Sequence, residues 1–183
     1  MTRKEVLNSL KANVDDQNLI KHMMATEAIM RSLAKLLGEN EEVWGLTGLL
    51  HDIDVELTAD DPHSHGTLGA DLARELGASE EMCHAILCHN EKLGIECHTE
   101  LDKALFCADP LTGLVTAAAL VRPDKKLEGL TSESLMKRFK EKRFAAGANR
   151  DNIAKCNDID IELANFVELG LEAMKGISIE LGL

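Results

Sequence analysis

The chain has no tyrosine, one tryptophan and four phenylalanines, so aromatic residues make up only 3% of its 183 positions. A surface that stacks the bases of a single strand needs such rings, and their scarcity counts against one. Positive charge is also short: 20 Lys and Arg stand against 32 Asp and Glu, a formal charge of −12. Nucleic-acid binding draws on basic surface that displaces counterions from phosphates, so nucleic acid is not an expected partner. No uninterrupted apolar run approaches the roughly 20 residues that span a bilayer. The opening Met1-Thr2-Arg3-Lys4-Glu5 leads into mixed polarity without a signal-peptide core. The five cysteines, Cys83, Cys88, Cys97, Cys107 and Cys156, are odd in number and contain no C-x-x-C. That argues against a disulfide framework, lacks the usual zinc-finger spacing, and points to free thiols serving mostly as small core residues in a reducing compartment. No membrane partner and a cytoplasmic location are the expectations.

What is present is a globular composition, 45% hydrophobic and 28% charged. A chain of this length is expected to form one domain over residues 1–183, with a core of about 15–121 and a helical extension over about 122–183. The pattern is helical throughout. Thr2 and Glu5 make a capping box for a first short helix. Asp16 caps a second, whose stripe of Leu19, Met23, Ile29, Met30, Leu33 and Leu37 ends at Gly38. Asn40 caps a third, running through Val43, Trp44, Leu46, Leu49 and Leu50 to His51. A polar loop follows over Asp54–Pro62. Further helices are expected from about Ser64 to Leu76, from Ser79 through His89, and from Thr99 to Val121 with a kink near Pro110. The last are placed at roughly 132–143, 149–156 and 159–175. No segment alternates over strand length, so the fold class is all-α.

The chemistry lies with the seven histidines. His22 shares a face with Leu19, Ile29 and Leu33. His51 and Asp52 close the apolar third helix. His65 opens the stripe His65, Leu68, Leu72, Leu76, and His89 extends Met82, Ala85 and Ile86. Asp109 lies four residues after Leu105 on one helix. Each alone reads as a core or capping residue. Together, six ionisable groups at the edges of apolar stripes would need separate partners if buried apart. One or two divalent cations would satisfy them jointly, and imidazole with carboxylate suits Mn, Fe, Co, Ni or Zn.

These residues resemble the HD superfamily of metal-dependent phosphohydrolases. Its H…HD…D pattern matches His22, His51-Asp52 and Asp109. The stretches Leu49-Leu50-His51-Asp52-Ile53, His65-Gly66-Thr67-Leu68-Gly69-Ala70 and Ala85-Ile86-Leu87-Cys88-His89-Asn90-Glu91 are similar to its HDIG-type branch, which places two further histidines before the last Asp. Ala108-Asp109-Pro110-Leu111-Thr112-Gly113-Leu114 and the segments after it resemble a group known only as predicted HD hydrolases. The resemblance implies a bundle of five or more helices. It also implies a first metal held by His22, His51, Asp52 and Asp109, and a second completed by His65 and His89 with Asp52 between. Asp54 and Val55 stand where that branch often has Gly and Lys, so its usual phosphate-side lysine is missing. No Gly-Tyr-Pro follows His89, which gives cyclic dinucleotide hydrolysis little support.

Residues 122–155 carry ten basic and five acidic side chains, net +5, which leaves −17 on the rest of the chain. Either this is a solvated helix face with i,i+4 pairs, or it is an anion-binding wall in which Arg122, Lys125 and Lys126 contact phosphate. His63 is a candidate general acid beside His65, and Asp52 a catalytic as well as a metal-binding residue. The leading expectation is a metal-dependent phosphohydrolase acting on a small phosphomonoester or phosphodiester, a nucleotide among the candidates. A di-iron oxygenase on the same fold and a non-catalytic nucleotide- or metal-binding module are the alternatives.

Overall fold

A computed structural model describes all 183 residues, and every regular element is helical. Local sequence sets most of the helix starts. Thr2 accepts from the Glu5 N–H while Glu5 accepts from the Thr2 N–H, opening α1 (Arg3–Asn13). Asp16 opens α2 (Gln17–Leu37), which closes on Gly38 at φ +80°. Asn40 accepts from the N–H groups of Glu42 and Val43 at the start of α3 (Glu41–Leu50). Each such cap satisfies a backbone donor that the helix itself leaves free.

The next helix, α4 (Thr67–Glu75), starts three residues later than Ser64 because Gly66 takes φ +84°, outside the helical range. Ser79 caps α5 (Glu80–His89), and a Thr99–Asp102 capping box opens α6 (Glu100–Leu120). The α6 helix continues through Pro110 to Leu120. The chain then forms α7 (Ser132–Lys140), α8 (Arg150–Ala154), α9 (Leu163–Lys175) and the terminal turn α10 (Ser178–Leu181), which the sequence pattern did not announce. Asp160 at φ +57° separates α8 and its 3-10 continuation from α9, so the run expected from 159 begins later.

The α2 helix lies along α3 and also meets α6 and α9, while α5 packs on both α4 and α6. Met23, Ile29, Met30 and Leu33 of α2 meet Leu49 and Leu50 of α3, Leu101, Leu105 and Leu111 of α6, and Phe166 and Leu171 of α9 in one continuous buried cluster. Burying each such side chain fully contributes about 1.5–3 kcal/mol. By length and composition α6 could cross a membrane, and 61% of its apolar window is buried inside the bundle.

The close approach of α2 and α3 decides where the site can form. A Cβ on Gly48 would lie 3.0 Å from the Thr26 carbonyl carbon and oxygen and from Met30 Cγ. Only a residue without a side chain lets α3 approach the α2 backbone here, one turn from both His22 and His51. Gly48→Val is expected to lower unfolding stability in urea by about 1–3 kcal/mol through overpacking. A variant as stable as the parent would contradict this account of the helix pair.

Candidate metal centre

Four imidazoles and two carboxylates from α2, α5, α6 and the segments flanking α3 and α4 meet at one point. Asp52, just past the end of α3, stands in the middle. Its Oδ2 is 3.4 Å from both His22 Nε2 and His51 Nε2. Its Oδ1 is 3.2 Å from His89 Nε2 and 3.3 Å from His65 Nε2. Asp109 Oδ1 lies 3.1 Å from His22 Nε2 and 3.8 Å from His51 Nε2. The carboxylate of Asp52 therefore offers one oxygen to each of two histidine pairs. Consecutive residues His51 and Asp52 reach the same point because they leave the helix end about 100° apart.

The other ring nitrogen of each histidine is already engaged. His51 Nδ1 pairs with the Gly48 carbonyl at 2.8 Å, and His89 Nδ1 with the Ile86 carbonyl at 2.5 Å. His65 Nδ1 pairs with Asp54 Oδ1 at 2.9 Å. His22 Nδ1 pairs with Thr112 Oγ1 at 2.8 Å, and Thr112 donates its own proton to the Asp109 carbonyl. In each case Nδ1 is the donor, which turns the Nε2 lone pair inward. His22 and His51 Nε2 then face each other at 3.2 Å, and His65 and His89 Nε2 at 3.0 Å. Two lone pairs that close require a positive centre between them. The donor set fits a divalent cation, and His22, His51 and Asp109, like His51, Asp52 and His89, offer ligand atoms within 4.8 Å of one another.

In the protein alone, protons serve as that positive charge. Burial lowers the His22 pKa, but hydrogen bonds to Asp109 and Asp52 outweigh it and raise it to about 9. Burial likewise acts against His65, and Asp52 and Asp54 raise it to about 9. His51 is pushed up by Asp52 and Asp109 despite its burial. Burial alone would raise the two carboxylates; the facing imidazoles hold Asp52 and Asp109 well below the ordinary range instead.

Several residues here were not anticipated. Asp54 is fully buried and accepts from the backbone N–H groups of Gly66 and Gly69, each at 2.8 Å, besides orienting His65. Gly69 has to be glycine-sized, since a Cβ there would sit 3.1 Å from the Asp54 carboxylate. The His-Gly-x-x-Gly spacing was the available signal for this cradle. A cleft of about 390 Å³ opens over the centre, walled by Asn90, Glu91, Lys92, Pro110, Gly147, Asn149 and Asn152 with Asp52, His65, His89 and Asp109 at its floor. The Glu91 carboxylate accepts from the side-chain amides of Asn149 and Asn152. Nothing in the sequence pattern linked that segment to Glu91.

The basic segment reaches this cleft with amides and not with charges. Arg122 is held by Asp124 at 2.9 Å and by the Gly129 carbonyl at 3.1 Å. Lys125 and Lys126 are exposed, and none of the three residues expected to contact phosphate lines the cleft. Arg150 binds the carbonyls of Phe139, Phe144, Ala145 and Ala148 and organises the 139–148 turn. His63 is exposed on its loop and is not among the cleft residues either. Glu56 accepts from the backbone of Asp15 and Asp16 and serves the turn before α2.

The family model described as HD domain matches residues 19–129, a span that holds all six converging side chains. The chain belongs to the HD domain family. Among its relatives are proteins named Ribonuclease Y. The one from Oleidesulfovibrio alaskensis is 29% identical over 86% of this chain and 31% of its own length. Those from Lawsonia intracellularis and Syntrophobacter fumaroxidans are 32% and 33% identical, each over 72% of this chain and 23% of their own. This HD chain thus spans less than a third of the length of these curated relatives. No solved structure matches it.

Cation binding at this HD centre must displace protons. Since His22 and His65 have folded-state values near 9, above the ordinary 6.5, their contribution to the metal-free fold is complete below pH 6.5 and is lost as pH rises through about 9. Calorimetry in buffers of different ionisation heat should show net proton release on Mn(II) binding at pH 7, with affinity falling as pH drops from 9 to 6. Binding that is flat across that window would contradict the assignment. Asp54→Asn is expected to weaken cation binding by about 10–100-fold by releasing His65, as read from the same titration; unchanged affinity would show that His65 needs no such support.

Proposed function

We propose that this chain is a metal-dependent phosphohydrolase acting on a small phosphomonoester or phosphodiester, with nucleotides the leading class. The observation that carries this reading is the Asp52 carboxylate placed between two inward-facing imidazole pairs, at the floor of a cleft with no apolar side chain but Pro110. His22, His51, Asp52 and Asp109 would hold one divalent cation, and His65 and His89 would complete a second position with Asp52. A cation there supplies Lewis acidity toward a phosphoryl oxygen and makes water available as a nucleophile near neutral pH.

The protein's own residues do the rest. The Nδ1 contacts of the four histidines fix their rings, so no reorganisation is needed when charge develops on the ester. Lys92 is the one ammonium on the cleft wall, and it takes the place of the phosphate-side lysine that Asp54 and Val55 do not provide. Asn149 and Asn152, steadied by Glu91, offer polar groups on the same cleft wall. The name of the relatives points to phosphodiester cleavage in RNA. A chain with net charge −12 repels a long polyanion, which favours a short ester for this one. Its unpaired thiols suit a reducing compartment such as the cytoplasm.

The test is a panel of phosphomonoesters, dinucleotides, nucleotides and short RNA, run on stripped protein reloaded with Mn, Fe, Co, Ni or Zn. Turnover of a small ester is expected with at least one metal, and Asp52→Ala should lose that turnover together with the metal. Lys92→Ala should raise KM about tenfold, the scale of one charge-assisted contact, while Arg122→Ala leaves kcat/KM unchanged. No turnover with any metal, or iron-dependent O₂ consumption in its place, would overturn the proposal.

A further inference from the structure

A second cluster of ligating groups lies on the far side of the last turn of α5. His84 and Cys88 are four residues apart and share a helix face. His84 Nδ1 is 3.3 Å from Cys88 Sγ and 3.0 Å from Asp102 Oδ2, and these three side chains place one ligand atom each within 4.8 Å of the others. Cys97, from the connection between α5 and α6, is half-buried and lines the same cleft as Cys88. His98 stacks on His84 with ring centroids 5.6 Å apart.

The helix cap explains only part of Asp102. Its Oδ2 accepts from the N–H groups of His98 and Thr99, each at 2.9 Å. Its Oδ1 is buried without any partner, the one such side-chain atom in the protein, and the residue is fully buried. A carboxylate oxygen left in that state is costly. With metal–nitrogen and metal–oxygen bonds of about 2.0 Å and metal–sulfur bonds of about 2.3 Å, tetrahedral ligand atoms lie about 3.3–3.8 Å apart. The His84 Nδ1 separations from Cys88 Sγ and from Asp102 Oδ2 need to widen by only a few tenths of an ångström to reach that. Cys88 and Cys97 also line a cleft of about 520 Å³, which gives an ion a way in.

We propose that His84, Cys88, Cys97 and Asp102 form a thiolate-containing zinc site, separate from the histidine–aspartate centre, that pins the start of α6 and the 91–98 connection to the end of α5. The set is closed, with two thiolates, one imidazole and one carboxylate, which is the character of a structural and not a catalytic site. Cys88 and His89 are adjacent, so the pin would also steady one wall of the cleft through His89, Asn90 and Lys92.

The test uses the full chain, reduced, stripped with a chelator and titrated with Co(II). A thiolate-to-cobalt charge-transfer band in the near ultraviolet is expected, and it should survive in Asp52→Ala, because the other centre has no sulfur. Zn(II) should displace the cobalt and protect two thiols from a thiol reagent. Cys88 is buried, so its substitution tests folding as well as ligation; the half-buried Cys97 gives the cleaner variant. Cys97→Ser should keep its helical circular dichroism and lose about half the band, one thiolate of two. No charge-transfer band at saturating cobalt in the parent, an undiminished band in Cys97→Ser, or thiols equally reactive with and without zinc would each overturn the proposal.

Discussion

The arrangement turns on one carboxylate shared by four imidazoles. Asp52 sends Oδ2 toward His22 and His51 and Oδ1 toward His65 and His89, so a single side chain ties together groups from α2, the end of α3, the turn before α4 and the end of α5. Such a cluster is not favourable in itself. Its nitrogens face one another at about 3 Å and its charges are taken out of water. It persists because the surrounding bundle over-determines each position, and it is relieved by positive charge, whether from protons or from a cation.

The bundle does this through contacts that are individually ordinary. Gly48 brings two helix backbones together, Gly66 and Gly69 let the Asp54 carboxylate reach the start of α4, and Thr112 accepts from His22 Nδ1 while donating to the Asp109 carbonyl. Each fixes a ring or an oxygen without itself facing the cleft. The long α6 runs from the Asp102 cluster at its start, through Asp109 midway, into the core that α9 covers. One rigid element therefore spans both groups of ligating side chains.

Much of this was legible in the sequence, for reasons that are local. The caps at Thr2, Asp16, Asn40 and Ser79 depend on a few neighbouring residues and stand where the pattern put them. The six converging residues were visible because polar groups on apolar stripes demand a common partner. What failed depended on tertiary placement. A basic stretch in the sequence does not say where its side chains go; Arg122 turns back on Asp124, and Asn149 and Asn152 of the same stretch enter the cleft instead. Asp54 read as a departure from a familiar motif, whereas its meaning lies in its distance to Gly66, Gly69 and His65. The second cluster escaped because C-x-x-C spacing does not describe it: His84 and Cys88 meet through helical spacing, and Asp102 joins them from another helix.

The most direct test of the central claim is low-temperature electron paramagnetic resonance of the Mn(II)-loaded protein, since Mn(II) favours oxygen and nitrogen ligands over thiolate. If Asp52 joins two cation positions, the parent will show the spectrum of an exchange-coupled pair, and Asp52→Ala will show none. Isolated Mn(II) signals that are the same in both proteins would mean that the shared carboxylate is not the organising element of the site.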